Sequence, residues 1–252
     1  MVLDKFRLDG EVAVVTGGTR GLGKAMSLAL AEAGADIALV SRNANSEVEE
    51  HIRALGRRCV HYAADLTDRA ATTRVVPDLA DRMGDVNILV NNAGVIQREE
   101  IVEFPESKWD QTVEINLTAA FLLSQAAGRL MLDKGRGKII NVASVLSFQG
   151  GLFVPAYAAT KHALLGLTRS CSNAWAGRGI NVNAVAPGYF ETDATEALCK
   201  DPERSAALLA RVPAGRWGQP EDLGGTIVFL ASSASDFLHG SVVNVDGGWM
   251  GW

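Results

Sequence analysis

The stretch "VVTGGTRGLGKA", Val14 to Ala25, decides how this chain is read. Before it, "EVAVVTG" is a short β-branched run that ends in glycine. After it, "GKAMSLALAEAGA" is small, apolar and helical in character, closed by Gly34. Strand, glycine loop and helix in that order suit the pyrophosphate of a dinucleotide. Glycine lets the backbone approach the phosphates, and the helix start supplies N–H donors and a positive dipole end. A plain tight turn between strand and helix would look similar, so the rest of the chain must discriminate.

Working outward, the pattern repeats. Further short apolar runs follow in "DIALVS", "RRCVHYAAD", "VNILVNNAG", "GKIINVAS", "INVNAVAPG" and "SVVNVDGG". Helical stretches separate them. "SEVEEHIRALG" has Ser46 as its expected N-cap and Gly56 past its end. "DRAATTRVVPDLADRMG" is expected to be disturbed near Pro77. A long helix is expected from about Ser107 to Leu132, another over Pro155 to Ala176 with proline in its first turn, and a last one in "PEDLGGTIVFLAS". Near-continuous apolar strands alternating with helices predict an α/β fold. Right-handed crossovers make it a three-layer, doubly wound parallel sheet of the Rossmann-like kind, in one domain over residues 1–252. Only residues 188–219 break the alternation. A long insertion after a strand's carboxyl end is where a substrate lid belongs.

Composition narrows the function. The 252 residues are 48% hydrophobic and 21% charged, an ordinary globular balance, and the net charge is −5 with no basic run. Nucleic acid and anionic membrane are therefore not expected as partners. No apolar run approaches membrane-span length, and the N-terminus carries acids rather than a signal-peptide core. Cys59, Cys171 and Cys199 are sparse and unpaired in number, which suits reduced thiols in a cytoplasmic protein. Neither they nor the four histidines show ligand spacing, so no metal is expected.

The stretch "VPAYAATKHA", Val154 to Ala163, places Tyr157 one helical turn before Lys161. Residues at i and i+4 share a helix face, and a neighbouring cation favours the phenolate. The pair is either a tuned proton donor or an accident of a surface helix. His162 should point away from the Lys161 face. At the end of the second apolar run, where an NAD site usually carries an acid for the ribose hydroxyls, stand Ser41 and Arg42. Arg20 lies inside the glycine loop. Two guanidiniums suit a 2′-phosphate, so NADP(H) is favoured, with NAD(H) as the alternative.

Taken together, "TGGTRGLG" (16–23), "NNAG" (91–94), Asn116 in "VEINL", Ser144 in "NVAS", "YAATK" (157–161) and "APGYFET" (186–192) resemble the short-chain dehydrogenase/reductase family over nearly the whole chain. "NNAGVIQREE", "SFQGGLFVPAYAA" and "VPAGRWGQPEDL" resemble a subgroup acting on sugar acids. The resemblance implies ketone–alcohol interconversion by hydride transfer. Tyr157 would be the general acid, with its pKa lowered by Lys161. Ser144 would polarise the carbonyl, and Asn116 would hold a relay water. Cofactor contacts are expected at Gly17, Thr19, Arg20, Gly21, Leu22, Gly23, Ser41 and Arg42, then at Asp65 and Leu66 near the adenine. Asn92, Ala93 and Gly94 would line the ribose path, with Tyr157, Lys161, Pro187, Gly188 and Thr192 around the nicotinamide. For an anionic sugar acid, Arg98 is the candidate carboxylate ligand, and Gln149 and Tyr189 the candidate partners of its hydroxyls. Arg216 and Trp217 read as structural. The resemblance also implies a homotetramer, packed through "LTAAFLLSQAAG", "ALLGLTRSCSNAWA" and the C-terminal region. Trp249 and Trp252 would be buried at a subunit contact or near a neighbour's active site. A 3-oxoacyl, polyol or gluconate reductase and a non-enzymatic cofactor-binding regulator are the rival readings.

Overall fold

The seven expected strands all form and all pair in parallel in the computed structural model, which describes residues 1–193 and 195–251. They are β1 (Val12–Thr16), β2 (Asp36–Ser41), β3 (Cys59–Ala63), β4 (Ile88–Asn91), β5 (Gly137–Val142), β6 (Ile180–Pro187) and β7 (Val242–Val245), in the order β3-β2-β1-β4-β5-β6-β7. The chain winds outward from β1 in one direction and from β4 in the other. Adjacent loops at the carboxyl ends of β1 and β4 therefore part and leave a crevice, the place where ligands bind in such sheets.

Strand residues alternate between two cores. Ala13, Val15, Ile37 and Leu39 face α1 (Gly21–Glu32) and the last helix, where Met26, Leu30, Ile227 and Leu230 meet them. Val14, Ala38, Val40 and Leu89 face the other side, against Val75, Val76 and Leu79 of α3 (Arg69–Met83) and Leu123 and Met131 of α5 (Ala119–Lys134). The remaining helices are α2 (Ser46–Ala54), α4 (Glu106–Val113), α6 (Pro155–Trp175), α7 (Glu196–Cys199), α8 (Pro202–Leu209) and α9 (Gly224–Ala231).

Four expectations need correction: the cap of α2, the disturbance at Pro77, the lack of any apolar run of membrane-span length, and the cover of Trp249. The long helix from Ser107 itself forms as expected. Asn45, not Ser46, caps α2: its Oδ1 accepts from Val48 N–H, while its Nδ2 donates to Thr19 O at 3.0 Å and ties the helix to the glycine loop. α3 runs unbroken through Pro77. The helix expected from Ser107 is continuous over Glu106–Lys134, and its mean hydropathy of 1.2 over a span-length window would let it pass for a membrane helix. Half of that window is buried inside the protein, and packing against α3, β4 and β5 accounts for the apolar character. Finally, Trp249 is buried within its own chain, on Tyr189 and Gln149, and needs no neighbour to cover it. Trp252 lies outside the described residues.

Candidate active site

The glycine loop is built by close approach. Gly17 (φ +63°) and Gly21 (φ +50°) occupy the left-handed region that favours glycine. A Cβ on Gly23 would sit 2.0 Å from Gly17 O. The loop is stapled to the end of β4: Asn92 Nδ2 donates to Thr16 O at 2.8 Å, and the Asn92 and Ala93 N–H groups donate to Thr16 Oγ1 at 3.0 and 2.9 Å. Thr16 thus has a positioning role that sequence reading saw only as part of a motif. The first helical bond of α1 runs from Lys24 N–H to Arg20 O. The earlier N–H groups of Gly21, Leu22 and Gly23 are left for an anion. Packed glycines and free donors fit a pyrophosphate.

This loop floors one end of a groove of about 1400 Å³ that continues past Tyr157 to Trp249. All of the expected cofactor and substrate residues line it apart from Asn116, which lies behind. At the adenosine end Ser41 Oγ donates to Asn43 O at 2.7 Å, and His61 Nε2 lies 3.0 Å from it. Asp65 accepts from Thr67 N–H and Oγ1, which hold its pKa below the usual carboxylate range, helped by the Arg42 charge. Lys24 pairs with Glu47. Arg20 and Arg42 are exposed and, among the described residues, form no ion pair.

At the centre, Ser144 follows β5, with its Oγ accepting from Leu146 N–H at 3.1 Å and its hydroxyl hydrogen still to give. Proline at the start of α6 sets Tyr157 and Lys161 on the helix face turned to the groove. Lys161 is 4% exposed, donates from Nζ to Val142 O at 2.6 Å, and is lowered by burial to a pKa of about 8. Its Nζ lies 5.4 Å from the Tyr157 ring centre.

The expectation that Lys161 lowers the phenol's pKa is not met here. Burial pushes the Tyr157 phenol upward, Ser144 and then Arg98 pull it back, and the Tyr189 phenol adds to the rise. The ammonium is itself desolvated and spends a hydrogen bond on Val142 rather than on the phenol. His162 Nδ1 faces the Ala158 carbonyl at 2.9 Å, away from this pair as expected.

Asn116 sits in a π-helical turn, Glu114–Thr118, between α4 and α5, the kind of helix irregularity that often marks a functional site. Its amide is already engaged: Oδ1 accepts from Val95 N–H at 2.8 Å, and Nδ2 donates to Val95 O at 3.0 Å. The side chain clamps the segment after β4.

At the far end Arg98 is exposed, next to the Glu99–Lys108 ion pair. Gln149 Oε1 accepts from Trp249 Nε1–H at 2.9 Å. Tyr189 packs edge-on to Trp217 and Trp249, with ring centres 5.9 and 4.7 Å apart. Gly188 leaves no room for a Cβ beside Asp246, and Thr192 comes close to Gly21. Arg216 forks onto Asp222, and Trp217 donates to Ser205 Oγ, both structural as expected. The three cysteines are free, and Cys59 is pushed up to about 11 by burial. No cluster of metal ligands occurs among the described residues.

Residues 17–250 match the family model described as enoyl-(acyl carrier protein) reductase. The chain belongs to the short-chain dehydrogenase/reductase family. It is 49% identical over 253 residues to the 2-dehydro-3-deoxy-D-gluconate 5-dehydrogenase of Pseudoalteromonas atlantica, covering 99% of this chain and 100% of that one. It is 49% identical over 251 residues to the enzyme of the same name from Escherichia coli, covering 99% of each. A crystal structure of a gluconate 5-dehydrogenase from Burkholderia cenocepacia, in complex with NADP and tartrate, is 41% identical, superposes with a TM-score of 0.95 and covers all of both chains. This short-chain dehydrogenase/reductase is thus an oxidoreductase acting on CH–OH groups, and the reading as a non-enzymatic regulator falls.

Proposed function

We propose that the protein is an NADP(H)-dependent oxidoreductase of a sugar acid, interconverting 3-deoxy-D-glycero-2,5-hexodiulosonate and 2-dehydro-3-deoxy-D-gluconate. The observation that carries this reading is a single groove with three parts. A glycine cradle and two free arginines lie at one end, a buried Tyr157–Lys161–Ser144 centre in the middle, and Arg98 with a Gln149–Tyr189 wall at the other. The names of the relatives support the substrate, and NADP in the Burkholderia structure supports the cofactor.

A bound nicotinamide supplies hydride in reduction and accepts it in oxidation. Everything else falls to the chain. Ser144 Oγ–H donates to the carbonyl oxygen and stabilises the charge that develops there. Tyr157 O–H gives its proton to the same oxygen, and takes it back in the reverse direction. A phenol held above its ordinary pKa by burial is protonated at neutral pH and therefore ready to donate. Lys161, with Val142 O fixing its ammonium, offers a cation to the phenolate that donation leaves behind. Asn116 keeps the segment carrying Gly94 and Val95 in place. Residues 188–219 act as the lid. We further infer a cytoplasmic homotetramer; exposed Phe121 on α5 and the exposed small residues Ala163 and Gly166 on α6 support packing between copies.

Initial rates of reduction of 3-deoxy-D-glycero-2,5-hexodiulosonate, run in parallel with NADPH and NADH, test the proposal. Rapid turnover that is at least ~10-fold better with NADPH, and that loses this preference in Arg42→Ala, is expected. A tenfold ratio corresponds to about 1.4 kcal/mol, within reach of one arginine–phosphate contact. No turnover with either cofactor contradicts the substrate assignment, and an NADH preference contradicts the cofactor assignment.

A further inference from the structure

We propose that Arg211 is the residue that selects for the substrate's carboxylate, held in place for that task by Trp249. This deepens the sugar-acid reading and rests on it. Arg211 follows α8 and lines the same groove as Tyr157. Its guanidinium carbon lies 4.0 Å over the Trp249 ring, a stacked cation–π contact. Trp249 is itself locked, 3% exposed, with its N–H on Gln149 Oε1 and its ring against Tyr189. This contact holds the guanidinium against the ring face, where its N–H groups stay available to a ligand. That is the presentation a carboxylate needs for two parallel hydrogen bonds.

Among the described residues, no side chain or carbonyl accepts a hydrogen bond from those N–H groups. The ion pairs of this region join Lys200 to Glu196 and Arg216 to Asp222, and among the described residues Arg211 takes part in none. Arg204, also in the groove lining, has no aromatic platform among the described residues and projects from an exposed helix. Glu99, Glu100 and Asp193 share the lining with Arg98, Arg204 and Arg211, so charge alone does not single out one arginine, and a guanidinium held in place does.

Position separates Arg211 from Arg98. In a six-carbon acid reacting at C5, the carboxylate is four carbon–carbon bonds from the reacting carbon. It must bind beyond the groups that hold the reacting oxygen. Arg98 acts electrostatically on the Tyr157 phenol, whereas Arg211 acts on Tyr189, whose ring adjoins Trp249. Arg211 covers Trp249, and Trp249 packs on Tyr189, so Arg211 stands at the Tyr189 side of the groove. Arg98 and Arg211 thus reach the substrate end of the groove from different elements, and among the described residues only Arg211 has an aromatic support there.

The test uses D-gluconate as an anionic probe and D-glucitol as its neutral counterpart, titrated by calorimetry into wild type, Arg211→Gln, Arg211→Lys and Arg98→Gln in the presence of NADP. It is paired with steady-state kinetics on 2-dehydro-3-deoxy-D-gluconate. The expected result is a gluconate Kd at least ~10-fold weaker in Arg211→Gln, partial recovery in Arg211→Lys, and glucitol binding changed less than ~3-fold. KM should rise by a similar factor, with kcat within ~3-fold. A merely structural role for the stack would weaken both probes together and would lower kcat. The proposal is overturned by that outcome, by unchanged gluconate binding in Arg211→Gln, or by charge selectivity that moves with Arg98→Gln instead. If folded wild type neither binds gluconate nor turns over a sugar acid, the sugar-acid reading fails and takes this inference with it. Gluconate binding by wild type that survives Arg211→Gln sinks the inference alone.

Discussion

The floor of the groove and the segment that overhangs it are made in different ways. The floor is the set of loops at the ends of β1, β4 and β5, each continuous with a strand buried on both faces. Behind it stand the two large cores, and within it Asn92 is tied to Thr16, Asn116 to Val95 and Lys161 to Val142 through hydrogen bonds of 2.6 to 3.0 Å. The overhang is held mostly by hydrogen bonds within itself and to its flanks, such as Thr195 to Phe190 O and Trp217 to Ser205, rather than to the strands. Neither α7 nor α8 buries a residue, and beyond Phe190, which reaches the first core, its apolar support is a small cluster of Val145, Val212 and Trp249 with Tyr189, Leu208 and Met250 against it. Segments with few buried contacts open at low free-energy cost. The difference teaches a division of labour: proton chemistry and cofactor placement sit on the part that cannot move, and substrate choice sits on the part that can.

The largest expected effect lies at the floor's centre. Tyr157→Phe removes the proton donor and keeps the ring, so kcat should fall about 1000-fold, in the range of a positioned general acid. Cofactor affinity and melting temperature should stay near wild type. A fall of less than ~10-fold would break the assignment.

The second test makes one substitution in both regions. Gly23→Ala puts a methyl 2.0 Å from Gly17 O and 2.6 Å from Asn92 Nδ2, so NADPH binding followed by fluorescence should weaken at least ~30-fold, about 2 kcal/mol. Gly215→Ala, at φ +68° with nothing within 4 Å of the added methyl, meets only backbone strain of about 1–2 kcal/mol and should leave NADPH binding unchanged. Equal effects would erase the contrast.

A smaller effect concerns Lys161. Its pKa of about 8 lies below the ordinary lysine value of 10.5, so the folded state binds its proton more weakly than the unfolded state does. Its contribution to stability is present above 10.5 and is lost as pH falls through about 8. Lys161→Met should therefore be more stable than wild type at pH 7, while inactive. The margin should narrow as pH rises from about 8 to 10.5. Denaturant melts of both proteins across that range check it. A variant less stable than wild type at pH 7 would show that the buried ammonium is better satisfied than the Val142 bond suggests.

The same contrast explains what the sequence disclosed. Strands and the glycine loop were legible because buried parallel strands are short β-branched runs and because Gly17, Gly21 and Gly23 are required by local geometry. Tyr157 and Lys161 were legible because one helical turn joins them. The pair's electrostatics were not: the net rise in the phenol's pKa depends on burial and on Ser144 and Arg98, which are distant in the chain. Asn116 was legible as a site residue, but its engagement with Val95 depends on a π-helical turn that no local pattern announces. The overhang was legible only as a break in alternation. Trp249 reaches Gln149 across 100 positions and Arg211 across nearly 40, so spacing gives no hint that the three meet.

The most direct measurement is amide hydrogen exchange on the protein alone and with NADPH plus D-gluconate. If floor and overhang differ as described, amides of α8 exchange at least ~100-fold faster than those of β1 and α1 in the free protein, and slow selectively when both ligands are bound. Protection of α8 equal to that of β1 in the free protein would contradict the division of labour.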